Sequence, residues 1–107
     1  NNLAVIYLKQ KKFQQALPLL KESLEINENQ QIIVYYTLMC LIDLNKREAA
    51  EKFGYEKLKT FSDYGELNKL HGKNLMNLNK HKEGLKFLKK ATGFIELDGN
   101  NINIVTN

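Results

Sequence analysis

The sequence has little of what stabilises or marks several large classes of protein. Cys40 is the only cysteine among 107 residues, so an internal disulfide and a multi-cysteine zinc site are both excluded. No apolar stretch approaches the ~18 residues that a membrane span needs. No charged and then apolar segment opens the chain, which argues against a secretory signal peptide. These features predict a cytoplasmic protein that makes no membrane contact.

Residues that carry common catalytic chemistry are also scarce. The sequence contains no HExxH, no CxxC and no glycine-rich phosphate loop. Its two histidines, His71 and His81, fall on different predicted helices, where we expect packing or surface roles. For this stretch of chain we therefore predict no enzyme activity, no metal and no cofactor.

The charge is basic and unevenly spread. The net charge is +4, and residues 65–92 alone carry +5, from seven lysines and two glutamates. Lys82, Lys86, Lys89 and Lys90 share one predicted helix face, which would attract phosphate. The chain has a single arginine, however, and no aromatic residue shares this helix face, as aromatic residues do in sequence readers. We therefore interpret the lysines as a solvated face and predict no nucleic-acid partner.

Apolar residues recur at helical spacing, and the pattern itself repeats. Small residues align with small ones, and large apolar residues with large ones, when the chain is shifted by 68 residues. The aligned pairs are Ala4 and Gly72, Tyr7 and Leu75, Ala16 and Gly84, Leu20 and Leu88, and Ser23 and Ala91. A step of 34 fits less well, because Gly54 then stands where the first repeat has Leu20. The middle repeat is either degenerate or offset by one residue.

A period of 34 residues made of two short helices resembles the tetratricopeptide repeat. The segments that carry the resemblance are NLAVIYLKQKKFQQALPLLKESLEINEN (2–29) and LHGKNLMNLNKHKEGLKFLKKA (70–91). The usual first-helix tryptophan is missing, with Val34 and Asn68 at its place. The usual proline after the second helix is missing too. The resemblance covers about residues 1–96.

The resemblance implies an all-α fold, an α-solenoid of about three helix-turn-helix repeats in a right-handed superhelix. The repeats are 1–30, 31–64 and 65–98, and 99–107 is a tail or the start of a further repeat. First helices are predicted at about 1–10, 31–44 and 65–78, and second helices at about 13–27, 47–61 and 81–96. Ile102, Ile104 and Val105 are expected to cover the last helix, since solenoid ends need capping.

The resemblance also implies a concave groove, lined by the first helices, that binds a peptide or a partner's helix. The groove positions are Val5, Leu8, Tyr35, Tyr36, Met39, Ile42, Lys69, Leu70, Lys73 and Met76. A middle repeat offset by one residue would place Val34, Leu38 and Leu41 there instead. An apolar groove rimmed by polar residues is typical of an interaction site.

Other interpretations stay open. A branch of the family grips a C-terminal carboxylate with cations. The matching places here supply none, and Glu66 would repel a carboxylate, so this mode of binding is not expected. These places are Asn1, Val5, Tyr36, Glu66 and Leu70. The chain could instead be the peptide-sensing domain of a bacterial transcriptional regulator. Self-association through the repeat ends is a further alternative, as is a purely structural role.

Pro18 stands inside the second predicted helix, where it removes one i→i−4 hydrogen bond. If this helix begins near Phe13, the bond lost is to the carbonyl of Gln14, in the first turns, where water can satisfy it. We predict that the helix continues and that Pro18 lies on its outer side, away from the groove.

Overall fold

The chain folds into a row of α-helices, as the sequence predicts. The computed structural model describes residues 2–92, and this part contains helices and no strand. The helices are α1 Asn2–Lys9, α2 Phe13–Ile26, α3 Gln31–Asp43, α4 Arg47–Lys57, α5 Gly65–Asn77 and α6 His81–Thr92. Each helix packs against the next, and α3 also packs against α5. Residues 2–92 therefore form an α-solenoid of three helix pairs, and none of the described helices is long and apolar enough to cross a membrane.

The same tight turn joins the two helices of every pair. Its central residue has a positive φ, which is 59° at Lys11, 61° at Asn45 and 63° at Asn79. In each turn the N–H of the following residue donates to the carbonyl five residues back, at 2.8 Å in all three. This is the Schellman geometry, which satisfies carbonyls at a helix end. Because the turns recur at 34-residue steps without a gap, the one-residue offset of the middle repeat is wrong.

Small residues bring the helices of the first and third pairs close together. Ala4 and Ala16 are both 0% exposed in the first pair. In the third pair, a Cβ added at Gly72 would lie 2.9 Å from the carbonyl oxygen of Gly84. Only a residue without a side chain fits that approach. The predicted close approach of small residues is therefore confirmed in the third pair, and in the first pair both small residues are buried in the core.

The junction between the second and third pairs is packed differently, around His71. The imidazole is 0% exposed and makes edge-to-face contacts with Tyr55, at 4.5 Å between ring centres, and Phe87, at 4.7 Å. It lies directly over Gly54, so the small residue there leaves the space that the ring occupies. Neither ring nitrogen has a hydrogen-bond partner. Burial lowers the pKa of His71 to about 4, against a smaller opposing effect of Glu51, so the ring is a neutral part of the core at pH 7.

Asn68 marks a departure from the family pattern, and it binds the loop that follows α4. The sequence predicts that α4 extends to about residue 61, but it ends at Lys57. The buried amide of Asn68, at the family's tryptophan position, donates to the carbonyls of Ser62 and Tyr64, both at 3.0 Å. These bonds hold the α4–α5 loop in a non-helical path. A polar side chain that binds the loop therefore stands where the family has an apolar one.

Pro18 lies inside α2 without ending it. The helix runs from Phe13 to Ile26, and Pro18 is exposed on its surface, as predicted. The predicted extension of α6 to about residue 96, the boundary at 98 and the 99–107 tail lie outside the described residues.

Candidate functional site

The ten predicted groove residues lie on the first helices of the pairs, α1, α3 and α5. None of them is fully buried: Lys69 and Lys73 are exposed, and the other eight are partly exposed. The residues expected in the groove for an offset middle repeat are much less exposed: Val34 and Leu38 are 0% exposed and Leu41 is 5% exposed. These three belong to the core and are not available to a ligand.

The structure brings four of the ten residues together in one small pocket. It has a volume of about 120 Å³ and lies between α3 and α5. Its lining consists of Tyr35, Glu66, Lys69, Leu70 and Lys73. We call it the tyrosine–lysine pocket. An aromatic ring, an aliphatic side chain and two ammonium groups thus face one concavity.

A cluster of three tyrosines extends this pocket. The ring of Tyr35 lies 5.8 Å from that of Tyr36 and 6.3 Å from that of Tyr64, between ring centres. Both ring pairs are tilted, which suits the quadrupoles of aromatic rings. Tyr64 comes from the α4–α5 loop, one residue before α5 begins. The cluster therefore depends on the loop path that Asn68 holds.

The pKa values of two tyrosine hydroxyls at the site, those of Tyr35 and Tyr64, are raised. Burial raises the pKa of Tyr35, and the carboxylate of Glu66 and the neighbouring Tyr36 raise it further. Burial also raises the pKa of Tyr64, again with Glu66 as the next contribution. At neutral pH the hydroxyls of Tyr35 and Tyr64 can therefore donate a hydrogen bond to a ligand's carbonyl or carboxylate oxygen.

The charge at the pocket is positive but not uniform. Lys69 and Lys73 are one turn apart on α5, so their ammonium groups share a face. Glu66 lies one turn before Lys69 and partly offsets the positive charge at that end. An acidic ligand group is therefore favoured most at the Lys73 end, away from Glu66.

The remaining predicted residues surround the pocket or support it. Leu8 and Ile42, together with Tyr36, pack against the core, while Val5 and Met39 are partly exposed on α1 and α3. Met76 is placed over α6, because a Cβ at Gly84 would lie 2.8 Å from its sulfur.

Sequence reasoning missed Tyr64 as a member of the site. The only signal was its position, an aromatic residue directly before a predicted first helix. Glu66 was considered solely as a residue that disfavours carboxylate binding, and the structure places it in the pocket lining.

The described residues offer little other reactive chemistry. Burial raises the pKa of Cys40 to about 11, with a further contribution from Asp43, so its thiol stays protonated in the core. Within residues 2–92, no three His, Cys, Asp or Glu side chains group in a way that could hold a metal ion.

Comparison with known proteins agrees with this fold. Residues 1–30 match the family model of the tetratricopeptide repeat. No curated protein matches the chain. Two solved structures of MamA, a tetratricopeptide-repeat protein, are similar: AMB-1 MamA (TM-score 0.80, 21% identity) and MSR-1 MamA (TM-score 0.77, 22% identity).

The match covers most of this chain and only part of MamA. It includes 92% of this chain and 54% of AMB-1 MamA, and 85% of this chain and 52% of MSR-1 MamA. The chain thus spans about half the length of the MamA structures that it matches. At these identities the similarity establishes the fold.

Proposed function

Because the chain is an α-solenoid of tetratricopeptide-repeat type, we propose that it is a protein–protein interaction module. Its ligand is a peptide, or a helix of a partner protein, that lies along the first helices and enters the tyrosine–lysine pocket. The repeat family and the MamA-like fold support an interaction scaffold. The observation that carries the proposal further is the pocket itself, in which four predicted groove residues meet.

The composition of the pocket suits a peptide better than a small metabolite. The pocket is small, and its Tyr35 also belongs to the tyrosine cluster, so an extended chain could contact both. Tyrosines supply a large contact area at a low cost in side-chain entropy, which is why they are frequent among the residues that dominate binding energy.

The lysines indicate which peptide is preferred. An acidic side chain beside Lys73 and an apolar or aromatic one against Tyr35 and Leu70 would match the surface. Surface charge pairs of this kind contribute more to specificity and to association rate than to affinity. The peptide-sensing domain of a bacterial regulator would use the same groove, and that alternative stays a prediction.

Selection of peptides on the full chain tests the proposal. A phage-displayed library of random 12-residue peptides would supply the probe, and the affinity of the selected peptides would be measured by calorimetry. We expect Tyr35→Ala combined with Met39→Ala to weaken binding by about tenfold or more, since hot-spot truncations cost ~1.4 kcal/mol or more.

Leu85→Ala is the matched control, because Leu85 is an exposed apolar residue on α6, 47% exposed and outside the groove. It should leave the affinity unchanged. Circular dichroism would show that all variants keep their helices. Peptides that bind the Tyr35 and Met39 variant as tightly as the unchanged chain would contradict the proposal.

A further inference from the structure

The buried face of α5 that meets the second helix pair is polar, whereas the matching face of α3 is mostly apolar. The matching residues, 34 positions apart, are Val34, Thr37 and Cys40 in α3 and Asn68, His71 and Asn74 in α5. All six are 0% exposed. The hydroxyl of Thr37 donates to the carbonyl of Ile33 at 2.8 Å, so it is satisfied within its own helix. We call the three α5 residues the polar row.

The hydrogen bonds of the polar row are incomplete. The amide nitrogen of Asn74 donates to the backbone carbonyl of Arg47 at 3.1 Å, and that of Asn68 donates to the α4–α5 loop. The side-chain oxygens of both asparagines and both ring nitrogens of His71 have no hydrogen-bond partner in the described part of the chain. A polar atom that leaves water without gaining a partner costs free energy. Packing the polar row against the second pair therefore carries a cost that the matching residues of α3 do not have.

Apolar contact between the third pair and the second is limited as well. One apolar core cluster runs through the first two pairs, and within residues 2–92 the third pair contributes a single buried member, Leu67. The third pair itself is held together more firmly, since α5 packs more extensively against α6 than against α3 or α4. The close approach of Gly72 to Gly84 lies inside this unit. The third pair is therefore a compact unit on a weaker junction.

The loop between α4 and α5 supplies a hinge for this unit. Leu58, directly after α4, is 7% exposed and belongs to the core cluster. Ser62 and Tyr64 are bound to α5 through the amide of Asn68. The segment between these two attachments is residues 59–61. Hinges are commonly a few loop residues that absorb a change in φ and ψ.

The tyrosine–lysine pocket lies across the same junction. Tyr35 belongs to α3 in the second pair, whereas Lys69, Leu70 and Lys73 belong to α5 in the third. The pocket is therefore complete only when the two pairs are packed together. A ligand that binds one of two arrangements shifts the equilibrium towards that arrangement.

We propose that the junction between the second and third helix pairs is a conformational switch that controls the tyrosine–lysine pocket. The third pair turns away from the second as a unit about residues 59–61, which brings the polar row into water and separates the walls of the pocket. A peptide bound in the pocket holds the junction closed. The peptide part of this proposal rests on the proposed function, and the opening of the junction does not.

A rigid junction is the alternative. The edge-to-face contacts of His71 with Tyr55 and Phe87 would then keep the third pair in place until the whole chain unfolds. In that case His71 would become accessible to a reagent no more often than Cys40, on the matching face of α3. Access to these two side chains therefore separates local opening from global unfolding.

Chemical modification of the unchanged full chain measures this access. Diethyl pyrocarbonate acylates accessible imidazoles and iodoacetamide alkylates accessible thiols, and mass spectrometry gives the rate at each residue. The rate in urea divided by the rate in the folded chain is the protection factor of that residue. We expect the protection factor of His71 to be lower than that of Cys40 by about tenfold or more. The exposed His81 should show little protection. Equal protection of His71 and Cys40 would overturn the proposal.

Peptides selected from the phage-displayed library test the control of the pocket. At about 100 times the Kd of the peptide, modification of His71 should slow by about 100-fold, because only the closed chain binds the peptide. Calorimetry on the same sample reports whether the peptide is bound. A bound peptide that leaves the rate at His71 unchanged would overturn the proposal. If no peptide binds, the proposed function is contradicted, and the comparison of His71 with Cys40 still decides whether the junction opens.

Asn74→Cys allows the same comparison with one reagent. It places a thiol in the polar row at the position that matches Cys40, so global unfolding exposes both thiols together. The substitution removes one hydrogen bond and one unpaired oxygen, which affect the junction in opposite directions. We expect iodoacetamide to modify the introduced thiol about tenfold faster than Cys40, or more. Modification of both thiols at the same rate would show that the junction does not open by itself.

Discussion

The imidazole of His71 occupies the space in which a side chain at residue 54 would stand. A Cβ built on Gly54 would lie 2.1 Å from the Nδ1 atom of His71 and 2.8 Å from its Cε1 atom. The ring cannot retreat easily, because Tyr55 and Phe87 hold it on two sides. Two residues that are 17 positions apart and belong to different repeats therefore share one volume.

Gly54→Ala should destabilise the fold by about 1–3 kcal/mol, the usual cost of overpacking a core. The double variant Gly54→Ala/His71→Ala removes the ring as well. Its loss of stability should be smaller than the sum of the losses in the two single variants. Urea unfolding of the unchanged chain, the two single variants and the double variant measures this difference.

Gly65→Ala is the matched control, since a Cβ there would lie 3.7 Å from the carbonyl oxygen of Ala91, which is an ordinary contact. It should change stability by no more than about 0.5 kcal/mol. Strict additivity of the Gly54 and His71 substitutions would show that the two residues do not compete for space.

The stability of the fold should depend on pH through His71. Its pKa in the folded chain is about 4, below the ordinary value of 6.5, so between these values the unfolded chain binds more protons. The contribution of the neutral His71 ring to the free energy of unfolding is therefore fully present above pH 6.5. It is lost as the pH falls towards 4, by up to about 3 kcal/mol.

Thermal unfolding of the chain and of His71→Leu across pH 4–7 measures this contribution. Leucine is the residue that the first repeat has at the same place, Leu3, and it cannot take up a proton. The difference in stability between the two chains should therefore change across the window. His81→Gln, at an exposed position, should follow the unchanged chain. A constant difference between the His71→Leu variant and the unchanged chain would contradict the prediction.

Lys11 should be replaceable with a gain in stability. Its φ of 59° is in the left-handed region, which costs a residue with a Cβ roughly 1 kcal/mol. Lys11→Gly should therefore raise the unfolding free energy by up to about 1 kcal/mol. Chemical denaturation measures the change, and Lys12→Gly, one residue further on, should bring no gain.

Asn45→Gly provides a comparison within the same type of turn, because asparagine tolerates the left-handed conformation better than lysine. We expect a smaller gain at Asn45 than at Lys11. Equal gains at both positions would indicate that the strain does not depend on the side chain.

Reversing the charge of the tyrosine–lysine pocket should weaken the binding of acidic peptides. Lys69→Glu combined with Lys73→Glu should reduce their affinity by about tenfold, and more at low salt than at high salt. The matched control is Lys82→Glu combined with Lys86→Glu, which makes the same change of net charge on exposed residues of α6. If both pairs weaken binding equally, the effect is one of net charge and not of the pocket.

Much of the fold follows from local pattern, which is why it could be predicted from the sequence. The 34-residue period, the turns at Lys11, Asn45 and Asn79 and the outward position of Pro18 all depend on residues close together in the chain. The match of Ala4 and Ala16 to Gly72 and Gly84 required only the comparison of two repeats.

What could not be predicted depends on contacts between repeats. Gly54 looks like a poor match to its repeat position because its partner, His71, lies in the next pair. Likewise, the loop that follows α4 is bound by the amide of Asn68, which lies on a later helix. Tyr64 joins the site only because that loop places it beside Tyr35.

The contrasting packing at residues 20 and 54 also restricts the order in which the repeats can be assembled. At the first junction, the large Leu20 is at the place of Gly54 and the small Thr37 is at the place of His71, and both are 0% exposed. At the second junction, the small Gly54 lies against the large His71. If α5 packed on α2 in place of α3, the imidazole would meet a leucine where it needs empty space. A chain that skips its middle repeat, or exchanges repeats with a neighbouring copy, would therefore meet a steric penalty that the correct sequence of helices avoids.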